Sequence, residues 1–438
     1  MGQLRDLMPL INLRNRLEIE LKRGYAYDLN NSEEGSYLLN KEHIKVLLIE
    51  QENIWVRPHR INHLYQQDDP VVLKERLLER LEPHHDLREI RITGYEGVTL
   101  PRWAAKLAMS LPRLVTISLV YFRDLQHLPA MSQLQHLKYL TLIEMPNVEF
   151  VEDDSGGAAV VPSFPSLESL FLWNCQSLKC FPDCPHVKKF TLCGLDEALT
   201  FCRHRDDATA TSAGSSLSSS NNNNSDVFDL WELKTDNLGI LKSLFRDSIQ
   251  SIHHLTLLNM EVQSLSSSVQ ENNQKYAFSI HSLKFLSCQN LKSLSGEGIE
   301  CLTNLKTLSI WECHNLKLEE EEGFPWKALH VLSDLSFNEL PQLIHLPKGL
   351  QYLTTLQSLE IEFCDKLEAL PEWLDCLKSL RSLDIRYCLR LKSLPEAIFP
   401  SLTTLHIHFC DGLKEKYSEP NGTDFPKICF IPDLYLYF

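Results

Sequence analysis

The stretch SLRSLDIRYCLRLKSLP, residues 379–395, carries leucine or isoleucine at 380, 383, 385, 391 and 394, a cysteine at 388 and a closing proline. These spacings suit neither an amphipathic helix nor a long alternating strand. They suit a short strand followed by a turn. Leu383 and Ile385 lie two residues apart, so in extended backbone they point to the same side. Leu391 and Leu394 then come back into the same interior from the return segment. Pro395, which has no backbone N–H to donate, helps end the strand-and-turn segment and begin the return.

The same register recurs along the chain. LTTLQSLEIEFCDKLEALP places Leu356, Leu359, Ile361, Cys364, Leu367, Leu370 and Pro371 in it. SLESLFLWNCQSLKCFP and LPRLVTISLVYFRDLQHLP do the same from Leu167 and Leu114. Clear starts fall at 87, 114, 137, 167, 187, 252, 283, 305, 332, 356, 380 and 402. Most steps are 20 to 31 residues. The pattern L-x-x-L-x-L-x-x-N/C-x-L at this period defines a leucine-rich repeat. One such unit cannot bury its apolar edge alone, whereas stacked units share a continuous core. The expected fold is an α/β leucine-rich-repeat solenoid. It is a horseshoe with a concave parallel β-sheet and a mostly irregular convex side with short helices.

The cysteine belongs to the same register. Cys175, Cys313, Cys364, Cys388 and Cys410 each follow the strand pair by three residues. Inward-facing backbone groups at that turn need partners, and a thiol is a compact though weak one. A metal or redox ladder is the rival reading. No second ligand type shares the register of strands spaced about 5 Å apart.

Upstream of residue 87 the pattern loosens. Leu17 and Ile19, then Ile44, Leu47 and Ile49, mark degenerate repeats, and residues 72–81 suit a helix ending before Pro83. The organisation is therefore degenerate repeats over 1–86, repeats over 87–205, a low-complexity insert expected to be disordered over 206–226, and repeats with a C-terminal cap over 227–438. Residues 318–324, LEEEEGF, form an acidic loop facing water.

The 438 residues carry a formal charge of -15 and a pI near 5.6, which argues against nucleic acid as a main partner. The charge is uneven: residues 1–113 hold 17 basic and 17 acidic side chains, and the remainder holds 26 and 41. No apolar run approaches the roughly 18 residues of a membrane span. The first residues make a poor secretory signal, and the 13 cysteines show no evident pairing, so a reducing cytoplasmic setting is expected.

Candidate contact residues flank the strand leucines on the outward side. They are Trp173 and Trp311, then Glu360, Glu362, Asp384, Arg386, His406 and His408. Ser118, Val120, Thr141, Ile143, Phe171 and Ser309 hold equivalent positions. Tyr121, Phe363, Tyr387 and Phe409 share the next position, where recurrence favours turn packing. The two tryptophans serve equally as binding anchors or as covers for a neighbouring repeat. Cys175, Cys180, Cys184 and His186 are spaced like no common zinc site, and His59 and His63 could share a helical face. No nucleophile elbow or paired catalytic motif is present.

LREIRITGYEGVTLPRWA, residues 87–104, resembles a repeat of plant intracellular disease-resistance proteins of the coiled-coil, nucleotide-binding, leucine-rich-repeat class. LPAMSQLQHLKYLTL, residues 128–142, and FCDGLKEKYSEPNGTDFPKICFIPDL, residues 409–434, are similar to two further stretches of that family. The resemblance implies a recognition module that senses a pathogen effector or a guarded host protein. It also implies restraint of a nucleotide-binding domain that holds ATP or ADP and docks near the charge-balanced N-terminal quarter. In this chain no glycine precedes a lysine, so G-x-x-x-x-G-K-[ST] is absent and no nucleotide site or other cofactor is assigned. Cytoplasm is the implied location, with the nucleus and the plasma-membrane periphery as further ones. The alternatives are an adaptor recruiting substrates to a ubiquitin ligase, or a stand-alone inhibitor. An enzyme is the reading the residues favour least.

Overall fold

A computed structural model of the chain describes residues 4–22, 36–51, 75–151, 164–182, 184–202, 228–240, 249–263, 280–294, 302–318, 324–395 and 400–438. The segment 206–226, His59 and His63, and most of 318–324 lie outside them. The chain packs as two compact units, Met1–Phe228 and Asp229–Phe438.

In the first unit the strands are β1 (Asn15–Leu21), β2 (Ile44–Gln51), β3 (Glu89–Thr93), β4 (Thr116–Val120), β5 (His127–Leu128), β6 (Tyr139–Ile143), β7 (Phe150–Val151), β8 (Ser169–Trp173), β9 (Cys180–Pro182), β10 (Lys189–Cys193) and β11 (Thr200–Cys202). The main sheet runs β1-β2-β3-β4-β6-β8-β10, all parallel and mostly without register slips. The return side carries a second parallel sheet, β11-β9-β7-β5. Its strands are two or three residues long, so this side is more regular than the sequence predicts. Of the predicted helix at 72–81, residues 72–74 lie outside the described residues, Glu75–Glu79 is helical with Leu77 and Leu78 buried, and residues 80 and 81 form a turn.

The second unit holds β12 (Phe228–Thr235), β13 (Ile249–Leu258), β14 (Ser282–Leu286), β15 (Thr307–Trp311), β16 (Asp334–Asn338), β17 (Ser358–Glu362), β18 (Ser382–Arg386), β19 (Thr404–His408) and β20 (Asp433–Tyr437), in that order across its sheet. From β13 onward every pair is parallel and in step. Here the return side uses 3-10 turns at Trp326–Ala328, Lys348–Tyr352 and Glu372–Cys376. Pro347 and Pro371 stand directly before the last two. A fixed φ and a missing N–H suit the start of such a turn.

The spacing of residues 379–395 is explained directly. Leu380, Leu383, Ile385, Cys388, Leu391 and Leu394 are all buried, and so are Leu356, Leu359, Ile361, Cys364, Leu367 and Leu370 one repeat earlier. Burying each leucine or isoleucine contributes about 1.5–3 kcal/mol. More than thirty such side chains in each of the two compact units are therefore the main stabilising term. Both units have the leucine-rich-repeat solenoid architecture.

The cysteines do what the register predicts. Cys388 Sγ lies 3.5 Å from Arg386 O and 3.8 Å from Ile361 O, on the strand before. Cys410 repeats this with His408 O at 3.3 Å and Ile385 O at 3.7 Å. Cys175 and Cys288 do the same, and Cys288 extends the predicted series. Burial pushes the thiols of Cys175 and Cys364 up to about 12. The cysteines of this register are free, whereas Cys180, for which the sequence shows no evident pairing, is disulfide-bonded.

One backbone feature ties repeat to repeat. The residue after ten of the main-sheet strands sits in the left-handed region: Tyr121, Glu144, Asn174, Asn259, Ser287, Glu312, Glu339, Phe363, Tyr387 and Phe409 have φ between 44° and 59°. Each donates its N–H to the last strand residue of the next repeat. Phe363 reaches Arg386 O at 3.0 Å, and Tyr387 reaches His408 O at 2.9 Å. The turn swings the chain inward so that the following residue, often the cysteine, enters the core.

The motif of residues 87–104 is structural. Gly94 (φ 85°) occupies the same left-handed position and bonds to Val120 O at 2.8 Å. Tyr95 is buried and its hydroxyl donates to Thr99 O. A Cβ on Gly97 would overlap the Tyr95 ring and hydroxyl, so only glycine fits there. The Trp103 indole N–H donates to Leu78 O at 3.0 Å, pinning the loop to the helix Glu75–Glu79. The tail is a cap. Helix Asp411–Tyr417 places the Tyr417 hydroxyl against the backbone of Leu394, and Ile428 and Ile431 are buried behind it.

Candidate protein-binding surface

On each five-residue strand the second and fourth side chains point inward, and the first, third and fifth point outward. Strict register stacks these outward positions into rows. In the second unit the third positions run Lys284, Ser309, Ser336, Glu360, Asp384, His406, Tyr435. The fifth positions run Leu286, Trp311, Asn338, Glu362, Arg386, His408, Tyr437. Glu360, Glu362, Asp384, Arg386, His406 and His408 thus form one patch on three adjacent strands, as their spacing implies. All six are half-buried.

Their charges are coupled. Arg386 donates from Nε to Asp384 Oδ1 at 2.8 Å and from its terminal nitrogen to Oδ2 at 2.6 Å. This bidentate pair raises the guanidinium further above its ordinary value. His406 stands between two carboxylates, with Nδ1 3.5 Å from Asp384 and Nε2 3.3 Å from Asp433. Partial burial lowers the His408 imidazole. Burial also raises the Glu362 carboxyl; Glu360 and Asp384 add to this, while Arg386 and the Asn338 amide oppose it. Asn338 Nδ2 donates to Glu362 Oε2 at 2.6 Å.

Trp311 lies in the same row, two strands away. Lys284 Nζ sits 3.4 Å from its ring centroid, and its indole N–H donates to Ser336 Oγ at 3.3 Å. Ser336 in turn donates to Glu360 Oε2 at 3.1 Å. The indole therefore packs over its neighbours and joins a polar chain leading to Glu360. Burial lowers the Lys284 ammonium, with Lys234 adding to the effect. Trp173 lies in the first unit, at the end of β8, stacked on Phe171 with centroids 6.2 Å apart. Among the other predicted outward positions, Val120 is a correction, because it is fully buried.

Sequence spacing misses part of this face. Lys284, Ser336 and Asn338 complete the polar chain, and Asp433, Tyr435 and Tyr437 extend the patch onto β20. Reading the rows across repeats, rather than residues within one repeat, would have found the first three. The turn position adds a run of rings. Phe363 and Tyr387 stack at 4.4 Å and 5°, and Tyr387 and Phe409 at 4.8 Å and 13°.

Among the described residues, one trio of potential metal ligands lies together, His84, His85 and Asp86, within 4.8 Å. Asp86 is committed to Arg113 at 2.6 Å, and His84 Nδ1 accepts the Asp86 N–H. Cys175, Cys184 and Cys180 do not form a ligand set. The first two bond to backbone carbonyls and the third is in a disulfide. No described helix is long and apolar enough to cross a membrane.

Comparison with known proteins agrees with the sequence motifs. Residues 4–145 match the family of R13L1/DRL21 leucine-rich repeats. The chain is 34% identical over 122 residues, 27% of its length, to disease resistance protein RGA2 of Solanum bulbocastanum. It is 34% identical over 105 residues, 24% of its length, to putative disease resistance protein RGA1 of the same plant. It spans only 12% and 10% of those two relatives. Similar solved structures include a leucine-rich-repeat protein of Leptospira interrogans (14% identity, 99% of this chain and 97% of that one, TM-score 0.40). A Listeria monocytogenes internalin shows 15% identity, 73% and 82% coverage, and a TM-score of 0.32. Residues 4–145 thus match a family of leucine-rich repeats, and about a quarter of the chain is similar to plant disease resistance proteins.

Proposed function

We propose that the chain is the recognition region of a plant intracellular immune receptor. Its outward sheet face binds a pathogen effector or a guarded host protein, and its repeats restrain a nucleotide-binding switch. The observation that carries this reading is the division of labour within each repeat. Leucines, isoleucines and cysteines build the interior, leaving rows of polar, charged and aromatic side chains with no part in it. The match of residues 4–145 to R13L1/DRL21 leucine-rich repeats, and the 34% identity over 122 residues to disease resistance protein RGA2, support the immune context. In an intact receptor ATP or ADP belongs to the nucleotide-binding domain, and no residue of this chain is assigned to it. The cytoplasm is the location this reading requires.

The test exchanges the charges of one pair, Asp384→Arg with Arg386→Asp. Net charge is unchanged and neither side chain is in the core. Binding of an effector or host partner should change several-fold while the melting temperature stays within about 2 °C. A variant that unfolds would show that these side chains are not free surface.

A further inference from the structure

We propose that the turn row Glu339, Phe363, Tyr387, Phe409, together with Glu360 and Glu362 of the adjoining strand β17, seats an arginine-bearing extended segment of the partner protein. This rests on the protein-recognition reading and names the chemistry of what is recognised.

The left-handed turn does not call for aromatic residues. Asparagine takes that conformation readily and does so here at Asn174 and Asn259, whereas a bulky ring there is sterically unfavourable. Three successive rings at φ 51–53° are therefore held in place for another reason. They remain accessible, with Phe363 42% and Phe409 38% exposed. The stack continues edge-on to Tyr437, centroids 4.7 Å apart. At its other end the next turn residue is Glu339, a carboxylate 49% exposed whose Oε1 lies 3.2 Å from His314 Nε2. The stack thus runs into negative charge.

That charge is unbalanced. Strands β16 to β20 and their turn residues carry six carboxylates, Asp334, Glu339, Glu360, Glu362, Asp384 and Asp433, against one arginine. That arginine, Arg386, is already held by Asp384. A guanidinium meets both demands of the row. Its plane stacks on the terminal ring, its fork pairs with a carboxylate, and its aliphatic stem lies along ring edges. An ammonium makes the ion pair without the planar stack.

The test titrates the full chain into fluorescein-labelled Gly/Ser dodecapeptides carrying four arginines, four lysines or four glutamates, followed by anisotropy. The arginine probe should bind, with lysine several-fold weaker and glutamate showing no binding. Phe363→Asn with Tyr387→Asn, which keeps the backbone conformation, and Glu339→Gln with Glu362→Gln should each weaken the arginine probe by about tenfold. Circular dichroism melts confirm that both variants are folded. Equal binding of arginine and lysine that the asparagine variant leaves unchanged would reduce the effect to diffuse attraction and overturn the seat. Failure of every peptide on the folded wild-type chain would overturn it too. Either result leaves the recognition reading to be decided by the Asp384/Arg386 exchange.

Discussion

Replacing Tyr387 by glycine should harm the protein less than replacing it by alanine, the reverse of the usual order in a strand. The residue has φ 53° and stacks on two rings, at 4.4 Å and 4.8 Å. Each stack is worth about 0.5–1.5 kcal/mol beyond area burial. Losing both costs about 1–3 kcal/mol in either variant. Alanine keeps the left-handed penalty of roughly 1–2 kcal/mol, and glycine removes it. Glycine's extra freedom in the unfolded chain gives back about 0.4–1 kcal/mol. The balance leaves glycine ahead of alanine by about 0.5–1 kcal/mol. At Glu360, in the middle of β17, the order should invert, with alanine ahead by a similar amount. Urea midpoints of the four variants give both orders. Hydrogen exchange of the residue-387 amide, which donates to His408 O at 2.9 Å, reports the local effect. Alanine ahead of glycine at both sites would refute the turn geometry on which the stacking of repeats depends.

Ile385→Ala removes a fully buried side chain and should cost about 2–5 kcal/mol, whereas Ser382→Ala on the outward face of the same strand should stay within about 0.5 kcal/mol; thermal melts separate them. Iodoacetamide at pH 8 should label the exposed Cys429 and Cys376 in the folded chain, and the buried Cys175 and Cys364 only after unfolding, as mass spectrometry would show. The last two thiols are raised to about 12 when folded, so the unfolded chain gives up their protons first. Their contribution to stability is complete below about pH 8.5 and is lost as pH climbs toward 12, so the urea midpoint should fall across that range.

Much of the fold was legible because one repeat fixes the role of each of its positions. Leu383, Ile385, Cys388, Leu391 and Leu394 each had a place before any contact was known, and all are buried. What escaped lies where the repeat is incomplete or where the decisive contact joins repeats. β12 has the pair Leu230 and Leu233 three residues apart, just after a low-complexity stretch, and β20 has Leu434 and Leu436 without the leading leucine of the repeat. The return sheet of β5, β7, β9 and β11 uses strands too short to show a period. The outward candidates were found by alternation, but their partners were not. The link from Trp311 through Ser336 to Glu360 crosses three repeats, and alternation within one strand carries no such information. Val120 shows the converse limit, since alternation assigns it outward and packing buries it.

Hydroxyl-radical footprinting of the full chain, read residue by residue by mass spectrometry, tests the central claim most directly. Leu359, Ile361, Leu383, Ile385, Leu405 and Ile407 should resist oxidation, while Phe363 and Phe409 on the same repeats, and Tyr435 and Tyr437 on the neighbouring β20, should oxidise readily. Oxidation of the strand leucines and isoleucines at rates matching those of the rings would contradict a shared interior with a free outer face.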